Sequence, residues 1–219
     1  MDEALSGAYG GLFPRRNSFI YPKEAVARGL FENFPHIASA SVSRGSFQEL
    51  FINIQERAPA YLWCGDAPPP SGATASGCYF LDSQGVVFAK SPYFSGSVYF
   101  EMYGALTAEN VFAENHHASP IGFLFLPSAD WSRVIAFRNS IRESEMPPEK
   151  FVLKDEGDAE FIFQNGTRLI FSLQENFDVV LENLLAAIDT KPLSKEVFAG
   201  QEKVFEYADA RFENRIFYK

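Results

Sequence analysis

Chemistry in this chain would have to come from two cysteines, three histidines and a few serine and acidic stretches. Cys64 and Cys78 flank GDAPPPSGATASG, a Pro/Gly/Ser-rich loop between two apolar, strand-like runs. A hairpin or a pair of neighbouring strands would bring them within bonding distance. A disulfide would suit an oxidising, extracytoplasmic site. Two buried free thiols are the other reading, and both stand on the sequence alone. A zinc site is short of ligands, because no His or further Cys lies nearby. His36, His116 and His117 are the histidines. Adjacent residues need loop geometry to converge on one ion, and Glu109 and Glu114 stand at no recognised metal-ligand spacing. A solvated loop is the expectation there. Ser95-Gly96-Ser97 lacks the flanking pattern of a nucleophile elbow, and neither a P-loop nor a GxGxxG stretch is present. KDEGDAE, 154–160, lacks the spaced oxygens of a calcium loop and reads as a tight turn. No catalytic residue, cofactor or metal ligand is assigned, and the expectation is a protein that is not an enzyme.

The bulk numbers narrow the partners. The chain has 219 residues, 47% of them hydrophobic, which is enough for one large domain or two modest ones with a packed core. Twenty-three phenylalanines point to wide sheet faces packed by rings. A formal net charge of -9 argues against nucleic acid and against an anionic membrane surface. No apolar stretch is long enough to span a bilayer, and MDEALSGAYG has neither the basic nor the apolar region of a signal peptide. The chain is therefore expected either to be soluble as it stands or to lack its membrane anchor.

The elements that would position these residues form two groups. In the first, PKEAVARGLFENF carries Val26, Ala27, Leu30, Phe31 and Phe34 at helical spacing, with Pro35 as the stop. IASASVSR and QELFINIQE follow as strands. In the second of them Leu50, Ile52 and Ile54 alternate with Phe51, Asn53 and Gln55, which implies one well-buried face. Residues 1–57 thus read as a small α/β module. ERAPAYLW marks a junction. Residues 58–219 then read as an antiparallel-rich sheet with two long helices, for an α+β fold overall. Strands are expected at CYFLDSQGVVFAK, GSVYFEMYG, IGFLFL, KFVLKD and the hairpin EFIFQNGTRLIFSL, where Asn165-Gly166 tolerates positive φ. Residues 104–119 read as loop. Ser128 is placed to cap a helix through about Glu145, with Trp131, Val134, Ile135, Arg138 and Ile141 at its spaced positions. A second helix covers about 175–189. Two helices on one face would leave the other face partly wet or covered by long loops.

VFEYADARFENRIFYK closes the chain as a strongly strand-forming run. Asp209 and Arg211 share a face and can pair with each other or across the sheet. A strand in such a place lies at or near a sheet edge, where its free amides and carbonyls can receive a partner strand.

Four segments in order resemble the extracytoplasmic part of the bacterial cell-division family FtsQ/DivIB. FENFPHIASASVSR resembles that family's POTRA module, through Ala40, Val42 and Arg44. INIQERAPAYLW resembles the junction to its β domain, through Glu56, Arg57, Pro59, Ala60 and Trp63. YFLDSQGVVF resembles the next hairpin, with Asp82 and Gly85, and YADARFENRIFYK resembles the closing strand. The resemblance spans residues from about 20 to 219. Ala208 and Ala210 depart from it by standing where larger aliphatics are usual. The family's membrane helix and a clear first POTRA strand are also missing from this chain. The resemblance implies a POTRA-like domain at 1–57 and a β domain at 58–219. It further implies a non-catalytic divisome scaffold, held in the cell membrane by one helix outside this chain, with this region extracytoplasmic. The partners it implies are FtsB-like and FtsL-like division proteins, docked by strand addition at Arg211, Phe212, Glu213, Asn214, Ile216 and Tyr218. A POTRA-containing outer-membrane assembly or secretion factor is the second reading, and an extracytoplasmic enzyme the third.

Overall fold

The computed structural model describes residues 6–9, 13–14, 22–46, 49–70, 75, 77–96, 98–111, 119–154, 157–189, 193–212 and 215–219. Near the start, β1 (Ala8–Tyr9) and β2 (Phe13–Pro14) pair as a short antiparallel ribbon. Helix α1 (Lys23–Asn33) follows Pro22 and ends where Phe34 N–H bonds the Leu30 carbonyl at 3.0 Å. Pro35 then has no N–H with which to continue it. Strands β3 (Ile37–Arg44) and β4 (Leu50–Glu56) pair antiparallel, with Ala40 opposite Ile54 and Val42 opposite Ile52.

Helix α1 packs chiefly on β3, so it covers half of this two-stranded sheet. Val26 of the helix and Ile37 and Val42 of β3 are buried. The expected continuous stripe and well-buried strand face are only partly formed. Phe34 is 53% exposed, Ile54 50% and Leu50 36%, in keeping with a helix that packs chiefly on β3.

The rest of the chain builds one nine-stranded sheet from β5 (Tyr61–Trp63), β6 (Tyr79–Leu81), β7 (Val87–Lys90), β8 (Glu101–Tyr103), β9 (Pro148–Leu153), β10 (Asp158–Phe163), β11 (Arg168–Ser172), β12 (Tyr207–Phe212) and β13 (Arg215–Tyr218). Their spatial order is β13-β12-β11-β10-β9-β8-β5-β6-β7. The pairs are antiparallel except β5–β8, β8–β9 and β11–β12, which are parallel. This is the α+β class that the sequence implied, with a mixed rather than uniformly antiparallel sheet.

Helices α2 (Ser128–Glu143) and α3 (Phe177–Ile188) bury Trp131, Val134, Phe137, Ile141, Phe177, Val180, Leu184 and Ile188 in one core with the sheet. Across from them stand Phe151, Phe161 and Phe171, all fully buried. Each such ring stabilises the fold by about 1.5–3 kcal/mol. Edge-to-face contacts such as Phe137–Phe171 at 5.1 Å organise them. Ser128 does not cap α2. Pro127 precedes the helix, Ser128 is its first residue, and no side-chain capping bond forms. Helix α3 is capped, by Asn176 Oδ1 accepting from Asp178 N–H at 3.0 Å. A short α4 (Glu196–Ala199) buries Phe198 against Phe163.

Two further expectations change. IGFLFL is not a strand: Phe123 and Leu124 make isolated bridges to Asn110 and Val86. The β10–β11 hairpin has a three-residue loop, with Phe163 N–H on the Thr167 carbonyl at 3.0 Å and Gly166 N–H on the Phe163 carbonyl at 2.9 Å. Only Gly166 has positive φ, at 82°. A type I turn followed by a left-handed glycine explains why Asn165 keeps an ordinary φ.

A buried ion pair joins the small unit to the large one. Arg57, just past β4, bonds its guanidinium to the Asp82 carboxylate, with both side chains under 10% exposed. Arg57 Nε also donates to the Pro35 carbonyl at 3.2 Å. Asp82 Oδ1 accepts from Gln84 N–H and Val86 N–H at 2.8 and 3.0 Å, which shapes the β6–β7 turn. A few residues away the structure joins Cys64 and Cys78 by a disulfide, closing the loop between β5 and β6.

Candidate functional site

The closing run is two strands rather than one. β12 lies parallel to β11, placing Leu169 opposite Ala208, and β13 folds back antiparallel with Phe217 opposite Asp209. Strand β12 is therefore interior, and β13 forms the edge of the sheet. Glu213 and Asn214 lie outside the described residues.

The hydrogen-bond phase of β13 fixes which of its groups face outward. Lys219 N–H donates to the Tyr207 carbonyl at 3.2 Å, and Tyr207 N–H returns a bond to the Lys219 carbonyl at 3.4 Å. In an antiparallel ladder such bonded pairs alternate with unbonded ones. Phe217, two residues back, faces Asp209 in the same phase. Ile216 and Tyr218 therefore turn their backbone N–H and C=O groups away from β12. Among the described residues no other strand pairs with that side.

Side chains give this edge an apolar rim. Phe212 is 49% exposed, Phe217 50% and Tyr218 43%. Phe212 and Phe217 meet edge to face at 5.0 Å, and Tyr218 meets Phe205 at 5.1 Å. Phe212 also lines a groove with Ala210, Asn176, Val179 and Val180, so α3 forms the other wall. Ile216 is half-buried and packs on the core.

Arg211 is committed within the protein. Its Nε and Nη2 bond the two Asp209 oxygens at 2.9 and 2.6 Å, and its Nη1 bonds Asp158 at 2.5 Å. The two carboxylates push its pKa further above the ordinary guanidinium value. Burial alone would push the Asp209 carboxyl up, but the hydrogen bonds and charge of Arg211 outweigh that and hold it below the usual range. Arg211 thus fixes the β12 backbone instead of offering a free cation. Strand periodicity points to Ile216 and Tyr218 but not to Arg215 and Phe217, which alternate with them, nor to Val179, which only the fold brings near.

Charged side chains pair with one another across neighbouring strands of the large sheet. Lys150 pairs with Glu101 at 3.0 Å, and Glu160 sits near both Lys154 and Arg168 at 3.5 Å. Tyr103 donates to Glu101 at 2.7 Å, and burial followed by that contact pushes its phenol far above its ordinary pKa.

The other sequence candidates do not converge. His36 packs edge-on to Phe88 at 6.0 Å, and His116 and His117 lie outside the described residues. Among the described residues no group of His, Cys, Asp and Glu is arranged to hold a metal ion. Compared with known proteins, the chain matches no family model and no curated protein.

Proposed function

We propose that this protein is a non-catalytic scaffold of the FtsQ/DivIB kind, which holds small single-pass coiled-coil division proteins at the septum by adding one of their strands to β13. The observation that carries the reading is the outward phase of Ile216 and Tyr218 on a strand bonded on one side, beside the exposed rings of Phe212 and Phe217. Backbone bonds would give such a contact its affinity, and the groove against α3 its side-chain selectivity. The ordered resemblance of four segments points to FtsB-like and FtsL-like partners. In this reading the α1–β3–β4 unit corresponds to the POTRA module, and among the described residues no strand before α1 pairs with β3 or β4. A disulfide supports an extracytoplasmic position. Among the described residues no helix is long and apolar enough to cross a membrane.

Capture from native membranes tests this, with the wild-type protein and Phe212→Ala as parallel baits. The wild type should enrich two short bitopic coiled-coil proteins, and Phe212→Ala should recover much less of them while keeping an unchanged melting curve. Equal recovery by both baits, or enrichment of outer-membrane assembly components instead, would remove the reading.

A further inference from the structure

Arg138 occupies a position on the inward-facing stripe of α2 that is otherwise mostly apolar. Its guanidinium lies 4.2 Å from the Phe100 ring centroid and 6.0 Å from that of Tyr61. The Nε atom is buried with no hydrogen-bond partner, and Nη1 reaches only the Asn139 amide oxygen at 3.3 Å. Among the described residues no carboxylate pairs with it, although the protein carries 28 acidic side chains. A stacked, half-buried guanidinium without a counter-ion is costly unless something else supplies the missing acceptors.

The same side chain lines a cavity of about 230 Å³ where β8 and β9 begin and α4 passes. Val98, Pro147, Pro148 and Phe198 supply apolar walls, and Tyr99, Glu149 and Gln164 the other polar side chains. No residue of β12 or β13 lines it, so this site is independent of the strand edge. We infer that the cavity is a binding site for a single carboxylate attached to a short apolar group, with the Arg138 fork as the acceptor's partner. Guanidinium geometry matches a carboxylate in a bidentate manner. The nearby Glu149 and the chain's net charge of -9 disfavour a dianionic phosphate. Burial, with Arg142 adding to it, lowers the Arg138 pKa despite the opposing effect of Tyr61, which is the cost a bound anion would relieve.

The carboxylate can come from a free small acid or from an acidic side chain of a peptide. Nitrogen-resolved NMR of the Arg138 Nε–H reads both. The probes are sodium butyrate, N-acetylglutamate N-methylamide, neutral butyramide and sodium chloride at matched ionic strength. A saturable shift with butyrate in the millimolar range, absent with butyramide and chloride and lost in Arg138→Met, is the expected result. At least tenfold tighter binding of the glutamate derivative would assign the site to a peptide; equal or weaker binding would assign it to a free acid. No saturable shift, or equal responses to butyrate, butyramide and chloride, would overturn the inference. The wild-type titration decides the matter even if Arg138→Met fails to fold.

Discussion

Arg211 holds three carboxylate oxygens at once, two from Asp209 and one from Asp158. Asp209 is 6% exposed, so its charge depends on that clasp. Asp209→Asn should lower stability at neutral pH by about 1.5–3 kcal/mol, the usual worth of hydrogen bonds to a charged group. The folded pKa lies below the unfolded one, so this contribution is present above the ordinary Asp range and is lost as pH falls through the depressed value. Urea midpoints of wild type and variant should converge on acidification. A gap that stays constant with pH would show that packing, not charge, is lost. Arg211 stays charged throughout and adds no pH window of its own.

The phase of β13 allows a sharper test at the level of the element. Proline at 216 removes an outward N–H, whereas proline at 217 removes one bonded to β12. Ile216→Pro should weaken partner binding by about tenfold or more, the equivalent of one 1.4 kcal/mol interaction, and lower the melting temperature less than Phe217→Pro does. Calorimetric titration and melting curves check the two halves. The sequence announced much of this architecture. The stripe of α3, the β10–β11 hairpin and the strand-forming end were all visible, because periodicity is a local property. The fold back between Phe212 and Arg215 was not, since the strand signal runs through both β12 and β13 without a glycine or proline to divide it. IGFLFL misled for a related reason: its apolar residues are buried by tertiary contacts and not by ladder pairing. The exposure of Leu50 and Ile54 depends on what α1 fails to cover, and the groove beside Val179 depends on where α3 docks. Neither can be read from spacing.

For the molecule as a whole, two links govern how its parts hold together. Arg57→Met leaves Asp82 buried without its cation and should cost about 3–5 kcal/mol in denaturant unfolding. Adding Asp82→Asn should return part of that loss, because the amide oxygen still accepts from Gln84 and Val86 while carrying no charge. If the double variant is no more stable than Arg57→Met, the buried charge is not the source of the penalty. Replacing Cys64 and Cys78 with serine should cost about 3 kcal/mol, the value expected for closing a loop of this length, and reducing agent should then have no further effect on the unfolding midpoint. The outer strands of the large sheet are treated differently. β7 is overlaid by Val87 N–H donating to the Phe123 carbonyl and Gly122 N–H donating to that of Val87, while β13 has no such cover among the described residues. Among the described residues β13 is the open edge of that large sheet, and two copies joined through it would pair edge to edge about a twofold axis that occupies both edges. Light scattering at rising concentration should therefore plateau at a dimer when β13 is the contact, and growth beyond a dimer would point to a different surface, such as the outer edges of β3 and β4; a partner strand seated on β13 would end that sheet and prevent the dimer.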